Sequence, residues 1–328
     1  MKAGEGAMDM NELLEPFVRM LDAVATPAAI RAVEAGGDWR AMWDEIAASG
    51  FLDAMVAEEH GGAGLTLAQV QPLIEALGAR AVPLPVAETM VARKLLADAG
   101  LAAPDGPVVL ATSAAWPVPC ALVASHALVD TGAALVLAEV AALSPRATGV
   151  VHSLAAVLPG APQGPALPRP EAGLRAVAAV LRACLIAGGA ARLCDMATAH
   201  AGDRVQFGKP IGRQQALQQM LAVMAEDMIA CRIAAQLGAS RGIAVPEALA
   251  ATAKVTTSAA APRVAASAHA VHGAIGISEE YDLQLLTRRL HEWRLADGSE
   301  GYWAALLGAA RLGSGVDSVE WVRESVFY

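Results

Sequence analysis

Aromatic side chains are scarce in this chain: Phe, Trp and Tyr make up 4% of its 328 residues, while hydrophobic residues overall make up 55%. The core must therefore be Ala, Leu and Val. That mixture suits closely packed helices, because Ala has the best helix propensity and lets backbones approach. Basic residues are also outnumbered, with 24 Lys and Arg against 33 Asp and Glu and a net charge of −9. Nucleic acid needs a basic face to neutralise its phosphates, so a nucleic-acid partner is not expected. The four cysteines, Cys120, Cys184, Cys194 and Cys231, have no C-x-x-C spacing. They read as buried, reduced thiols of a cytoplasmic protein rather than a disulfide frame or metal site.

Unbroken apolar runs are missing as well. The two long uncharged stretches are interrupted, 107–125 by Pro and 147–168 by Pro and Gly. A bilayer-spanning helix needs about 20 apolar residues without such breaks, so no membrane segment is expected. Met1-Lys-Ala-Gly-Glu-Gly leads into a polar, acidic segment rather than the apolar stretch of a secretory leader.

What is present divides the chain by texture. Residues 1–102 read mostly as helices. Gly50 is placed to stop one helix, and Thr66 to cap the next, which runs through Leu77. A further helical pattern covers 86–99. Residues 103–170 read as a short β domain, barrel-like in type. Its short apolar runs at 107–110, 120–124, 127–129, 134–137 and 150–152 are separated by Gly, Pro, Ser and Asp. Residues 171–328 return to helix. Leu217, Met220, Leu221, Met224, Met228 and Leu237 follow helical spacing, and Pro246 and Gly273 bracket the next helix. A last helix follows Asp297-Gly-Ser299 and carries Trp303, Leu306, Leu307 and Ala310 on one face. Four long helices on short links predict a four-helix bundle. The expected fold class is thus mainly α, with a small β domain between two helical ones.

Several local patterns carry chemistry. Arg204-Val-Gln-Phe207-Gly-Lys-Pro-Ile-Gly-Arg-Gln-Gln215 sits between two long helical segments. Gly273 and Gly276 form a turn at a helix end, and with no strand before them they are not a dinucleotide fingerprint. His269 and His272 lack a third ligand, so a metal is not expected. Glu58-Glu59-His60 reads as an exposed loop, and the basic run Arg288-Arg289…Arg294 as a solvated or interfacial face.

These patterns together resemble the acyl-CoA dehydrogenase family. Arg204-x-x-Phe-Gly-Lys-x-Ile-x-x-x-Gln215 is similar to its R-x-x-F-G-K-x-I-x-x-x-Q element. His272-Gly-Ala-Ile-Gly-Ile-Ser-Glu-Glu280-Tyr281 resembles Q-x-x-G-G-x-G-Y-x-x-E-Y. Asp297-Gly298-Ser299 falls where the family has E-G-T. Near the N-terminus, Trp43-x-x-Ile-Ala-x-x-Gly50 and Ala57-Glu-Glu-His-Gly-Gly-x-Gly64 resemble W-x-x-L-A-x-x-G and P-E-E-x-G-G-x-G. The resemblance implies FAD as cofactor, an acyl-CoA thioester as substrate and an electron-transfer flavoprotein as electron acceptor. Arg204 would place its guanidinium on the FAD pyrophosphate, Phe207 would pack on the adenine, and Gln215 would hydrogen-bond near it. All three would reach across an interface to a neighbour's flavin. Gly273 and Gly276 would let backbone approach the cofactor.

The departures are as informative. The family's base, usually Glu, becomes Asp297, one methylene shorter, and a displacement of about 1 Å can cost roughly a hundredfold in rate. Asp297 or Ser299 would equally serve as a cap for the last helix. The alternative base position, on the first bundle helix, falls at Ala178. The Gln that contacts cofactor is replaced by Ala270, and Ala111-Thr-Ser-Ala-Ala-Trp116 lacks the family's flavin-holding T-E-x-x-x-G-S-D segment. Three readings follow. The chain is a self-sufficient homo-oligomeric dehydrogenase using Asp297. Or it is a subunit of a heteromeric enzyme, of the kind acting on bulky thioesters such as steroid side chains, and completes a partner's FAD site. Or it keeps the fold for binding or assembly alone.

Overall fold

The structure, a computed structural model, describes residues 10–327. The chain begins with α1 (Met10–Val24), α2 (Pro27–Glu34), α3 (Arg40–Ala48), α4 (Leu67–Ala79) and α5 (Val86–Asp98). Gly50 adopts φ 77° directly after α3, as the stop signal requires. Thr66 caps α4 in a full capping box, its side chain accepting from the Gln69 amide while Gln69 returns a bond to Thr66.

The middle of the chain is β in character. β1 (Val108–Ala111), β2 (His126–Asp130), β3 (Leu135–Glu139) and β6 (Ala166–Leu167) form one sheet in the order β1-β2-β3-β6. β1 and β2 are parallel, and the other pairs antiparallel. β4 (Arg146–Ala147) and β5 (Ala156–Val157) make a separate two-stranded ribbon. Two of the expected strand-like runs are not strands. Residues 121–123 form a 3₁₀ turn behind Cys120, whose φ is 58°. Val150 and Val151 lie exposed in a loop that ends at His152 with φ 63°. Both runs are short and apolar, and such runs carry no record of whether a neighbouring strand is within reach.

The C-terminal part contains α6 (Gly173–Asp203), α7 (Gln215–Ala239), α8 (Glu247–His272), α9 (Leu283–Leu295), α10 (Glu300–Gly313) and α11 (Ser318–Val322). α6 is the axis of the molecule. It is long and apolar enough to cross a bilayer by composition, but 89% of its most apolar window is buried inside the chain. α9 is an element that the sequence pattern did not reveal, and it corrects the expectation of a solvated basic face. Leu283, Leu286, Leu290 and Trp293 turn inward, and Arg289 goes with them, only 3% exposed. Its guanidinium is held 3.0 Å from Glu34 and 2.6 Å from Glu292. On α7, Met224 is fully buried. The deepest contacts come from Cys231, Ala234, Ala235, Gly238 and Ala239 rather than from the longer residues of the stripe.

Small residues set the distance between α6 and its neighbours. A Cβ on Gly188 would sit 1.9 Å from the Glu75 carbonyl oxygen of α4, and one on Gly78 would sit 2.1 Å from the Leu185 carbonyl oxygen of α6. The two glycines let the backbones of α4 and α6 touch, which no larger residue allows. We expect Gly188→Ala to destabilise the fold by about 3 kcal/mol, the upper end for overpacking, because rigid backbone must move; urea unfolding measures it.

Candidate functional site

α6 and α7 are joined by a short hairpin that carries the longest sequence motif. β7 (Val205–Gln206) pairs with β8 (Lys209–Pro210), and Phe207 and Gly208 form the tip with φ 50° and 76°. A left-handed conformation is unusual for Phe. Here it turns the ring away from its own chain, leaving Phe207 94% exposed. Arg204 and Gln215, at the two ends of the motif, are also exposed. Arg204 makes no ion pair among the described residues; its backbone carbonyl accepts from the Ile211 amide and closes the base of the hairpin. The motif is thus a projection with Arg204, Phe207 and Gln215 all exposed.

Gly273 ends α8 with φ 60° and has open space where a Cβ would be. Gly276 differs. It is buried, and a Cβ there would lie 2.8 Å from the His272 Cβ, so its small size is required by the chain's own turn. The rings of His272 and His200 stack at 4.5 Å beside it. The motif's two glycines therefore have separate tasks, and only Gly273 is open to an approaching group.

Asp297 lies on the turn between α9 and α10, far from the surface at 6% exposure. Its φ is 57°, and Gly298 follows at 105°. Trp303 folds back and donates its indole N–H to the Asp297 carbonyl at 3.0 Å, while Ser299 caps α10. The carboxylate accepts from Thr112 Oγ1 at 3.1 Å on one oxygen and from Arg182 Nε at 3.0 Å on the other. Arg182, on α6, also reaches Glu88 of α5 at 2.5 Å. Burial works to lower the Arg182 pKa, but Glu88 and Asp297 outweigh it and hold the guanidinium above its ordinary range. Lys254 of α8 is buried nearby, donating to the carbonyls of Trp293 and Arg294 at the end of α9 and to Ser258. Ala178, the other base position considered, is fully buried on α6 and offers no functional group.

Two cavities lie near this turn. One, of about 420 Å³, is walled by Trp116, Pro117, Pro119, Val151, Leu295 and Asp297 among others. The second, of about 440 Å³, is bordered by Thr112, Ser113, Arg175, Glu247, Tyr302 and Trp303. Between them stands Arg175, stacked over Trp116 at 4.6 Å and donating to the Tyr302 hydroxyl at 2.6 Å.

Comparison with known proteins matches this architecture. The model of the acyl-CoA dehydrogenase C-terminal domain covers residues 176–312, and that of the N-terminal domain covers residues 9–103. The chain belongs to the acyl-CoA dehydrogenase family. It is 32% identical to the acyl-CoA dehydrogenase IpdE2 of Mycolicibacterium smegmatis, over 86% of this chain and 92% of that protein. Its fold is similar to the ChsE4–ChsE5 complex from Mycobacterium tuberculosis, with a TM-score of 0.79 and 20% identity over 95% of this chain and 99% of that one. It is also similar to the Tcur3481–Tcur3483 steroid ACAD, a G363A variant, with a TM-score of 0.76 and 24% identity over 92% and 97% of the two chains.

As a member of the acyl-CoA dehydrogenase family the chain carries an outward hairpin and the Asp297 turn, and it surrounds the turn with charges that sequence reading missed: Arg182, Glu88, Lys254 and Arg175. A signal was present. Arg182 is the only charge between Arg175 and Arg192 of α6, and a charge in a helical stretch apolar all round must find a buried partner. The sequence did not say which partner.

Burial pushes the Lys254 ammonium down to about 7 from 10.5, against the upward pull of Asp297. Between pH 7 and 8 the unfolded chain therefore binds the proton that the folded chain has lost, and stability rises with pH. His272 and His291 are lowered from 6.5 and titrate below this window. Burial raises all four thiols from 9.0, Cys120 and Cys231 to about 12, so above about pH 8 the unfolded chain loses thiol protons that the folded chain keeps, and this opposes the rise. We expect a rise of about 1 kcal/mol at most from pH 7 to 8, abolished in Lys254→Met; chemical denaturation at each pH measures it.

Proposed function

We propose that this chain is one subunit of an FAD-dependent acyl-CoA dehydrogenase assembled from two different family members, and that its contribution is the projecting edge Arg204–Phe207–Gln215, which embraces the flavin of its partner. The observation that carries this reading is the hairpin. Three side chains of the types that bind a dinucleotide are held outward on one rigid loop. Among the described residues Arg204 makes no ion pair, and Phe207 is 94% exposed. A guanidinium fork suits a pyrophosphate and a bare phenyl ring suits a purine face, and both would be wasted on solvent.

The reaction is removal of hydrogen across the α,β-bond of the thioester. A carboxylate takes the α-proton and hydrogen-bond donors hold the thioester oxygen as enolate charge develops. Bound flavin would supply the hydride acceptor for the β-carbon, and an electron-transfer flavoprotein would be the onward electron acceptor. Under this reading Arg204, Phe207 and Gln215 orient the cofactor, and Gly273 leaves backbone open beside it. Two observations support a heteromeric assembly: Ala270 stands in place of the cofactor-contacting Gln, and the segment after β1 lacks the family's flavin-holding residues. Bulky thioesters, such as those bearing a steroid fragment, are the proposed substrate class, in keeping with the similarity to the Tcur3481–Tcur3483 steroid ACAD. The competing reading, a self-sufficient homo-oligomer, draws on the position of Asp297 in the wall of the 420 Å³ cavity.

The visible flavin spectrum and FAD stoichiometry, taken on the isolated chain and on its complex with a co-expressed homologue, separate the two. We expect little flavin on the chain alone and half occupancy, one FAD per two chains, in the complex. We also expect Arg204→Ala to strip most of that flavin without changing the melting temperature, since the residue is exposed. Full occupancy in the isolated chain, or unaltered retention in Arg204→Ala, would sink the proposal.

A further inference from the structure

The charges around Asp297 point to a role for this residue that is not the family's. We infer that Asp297 is a positioning residue, locked by Arg182 and Glu88 into a clamp that closes this chain's own thioester site and ties its parts together. This rests on family membership and goes past the proposed partnership, because it holds whichever partner the chain has.

A carboxylate that abstracts a carbon-bound proton needs an oxygen aimed at that carbon, roughly 3–3.5 Å away. Both Asp297 oxygens are engaged within the chain, one by the Arg182 guanidinium and one by the Thr112 hydroxyl. The turn that carries the carboxylate is fixed as well, because the Asp297 backbone carbonyl accepts from the Trp303 indole and a Cβ on Gly298 would lie 2.6 Å from both Tyr302 and Trp303. Arg182 cannot release its proton to relax the pair, since a guanidinium stays charged.

The remaining groups complete the picture. Arg182 faces two carboxylates, Glu88 and Asp297, and buried Lys254, when protonated, adds a second positive charge that Asp297 favours. Arg182 and Arg175 lie two turns apart on the same face of α6, with Ala178 between them. The Arg175–Trp116–Tyr302 stack lies where the two cavities flanking the turn approach each other, with Trp116 and Asp297 lining one and Arg175 and Tyr302 the other. The clamp joins α5 (Glu88), the end of β1 (Thr112), α6 (Arg182) and the α9–α10 turn (Asp297). That is one charged knot through the N-terminal helices, the sheet and the bundle.

The test uses the FAD-loaded assembly and its Asp297→Asn, Arg182→Met and doubly substituted forms. Melting temperatures are measured for each, and acetoacetyl-CoA is titrated in to detect its enolate in the near ultraviolet. We expect Asp297→Asn to lower the melting temperature by several degrees and to leave the enolate signal, whatever its size in the unaltered protein, within about twofold. The Arg182→Met and Asp297→Asn losses should not add, because the two groups act as one pair. An unchanged melting temperature in Asp297→Asn, purely additive losses, or an enolate signal lost with Asp297 overturns the inference. Should Asp297→Asn not fold, Thr112→Val removes one of the two locks and is judged by the same pair of readings. Flavin stoichiometry decides the partnership and is untouched by these outcomes, so the two ideas fail separately.

Discussion

A permanent positive charge buried inside an apolar helix has to be matched, and most of the architecture around Asp297 follows from that requirement. Arg182 sits at 1% exposure in the middle of α6. Removing either carboxylate from such a cluster leaves an uncompensated charge, which is far more costly than never having buried the pair. Glu88 must therefore come from α5 and Asp297 from the α9–α10 turn, and both must arrive in good geometry. Lys254 then serves two needs at once. It balances the second carboxylate, and it satisfies the last carbonyls of α9, which would otherwise be orphaned at a buried helix end.

The close packing that makes this possible comes from residues without bulk. Where α4 crosses α6 the backbones meet through Gly78 and Gly188, and α7 rests on Ala and Gly side chains. A core poor in aromatics fills space by approach rather than by large rings. That rigidity matters for the hairpin, because α6 and α7 fix its two ends, and a fixed base is what lets an exposed Arg204 and Phe207 hold a defined direction. The chain thus has two contrasted regions: an outward edge with unspent binding groups, and an inward turn whose polar groups are already paired.

Particular elements show why some of this was legible and some not. Helices with strong spacing or caps, such as α4 behind Thr66, are written in local sequence because a cap and its amide lie within three residues. α9 was hidden, since Arg288, Arg289 and Arg294 read as a surface run. Glu34, far away in sequence, joins Glu292 in making burial of Arg289 tolerable. The runs at 120–124 and 150–152 have strand-like composition, yet no partner strand reaches them. Gly276 was read as a place for a ligand, whereas His272 of its own chain fills that space.

The sequence by itself determined the family, the helical and β segments and the identity of the outward motif. These rest on residue types at fixed short spacings, and local spacing survives in one dimension. Tertiary structure alone decided what surrounds Asp297. Glu88, Thr112, Arg182, Lys254 and Asp297 come from five separate segments. Whether a carboxylate is free to take a proton or is tied to a guanidinium depends on distances of about 3 Å between them, which no linear pattern encodes.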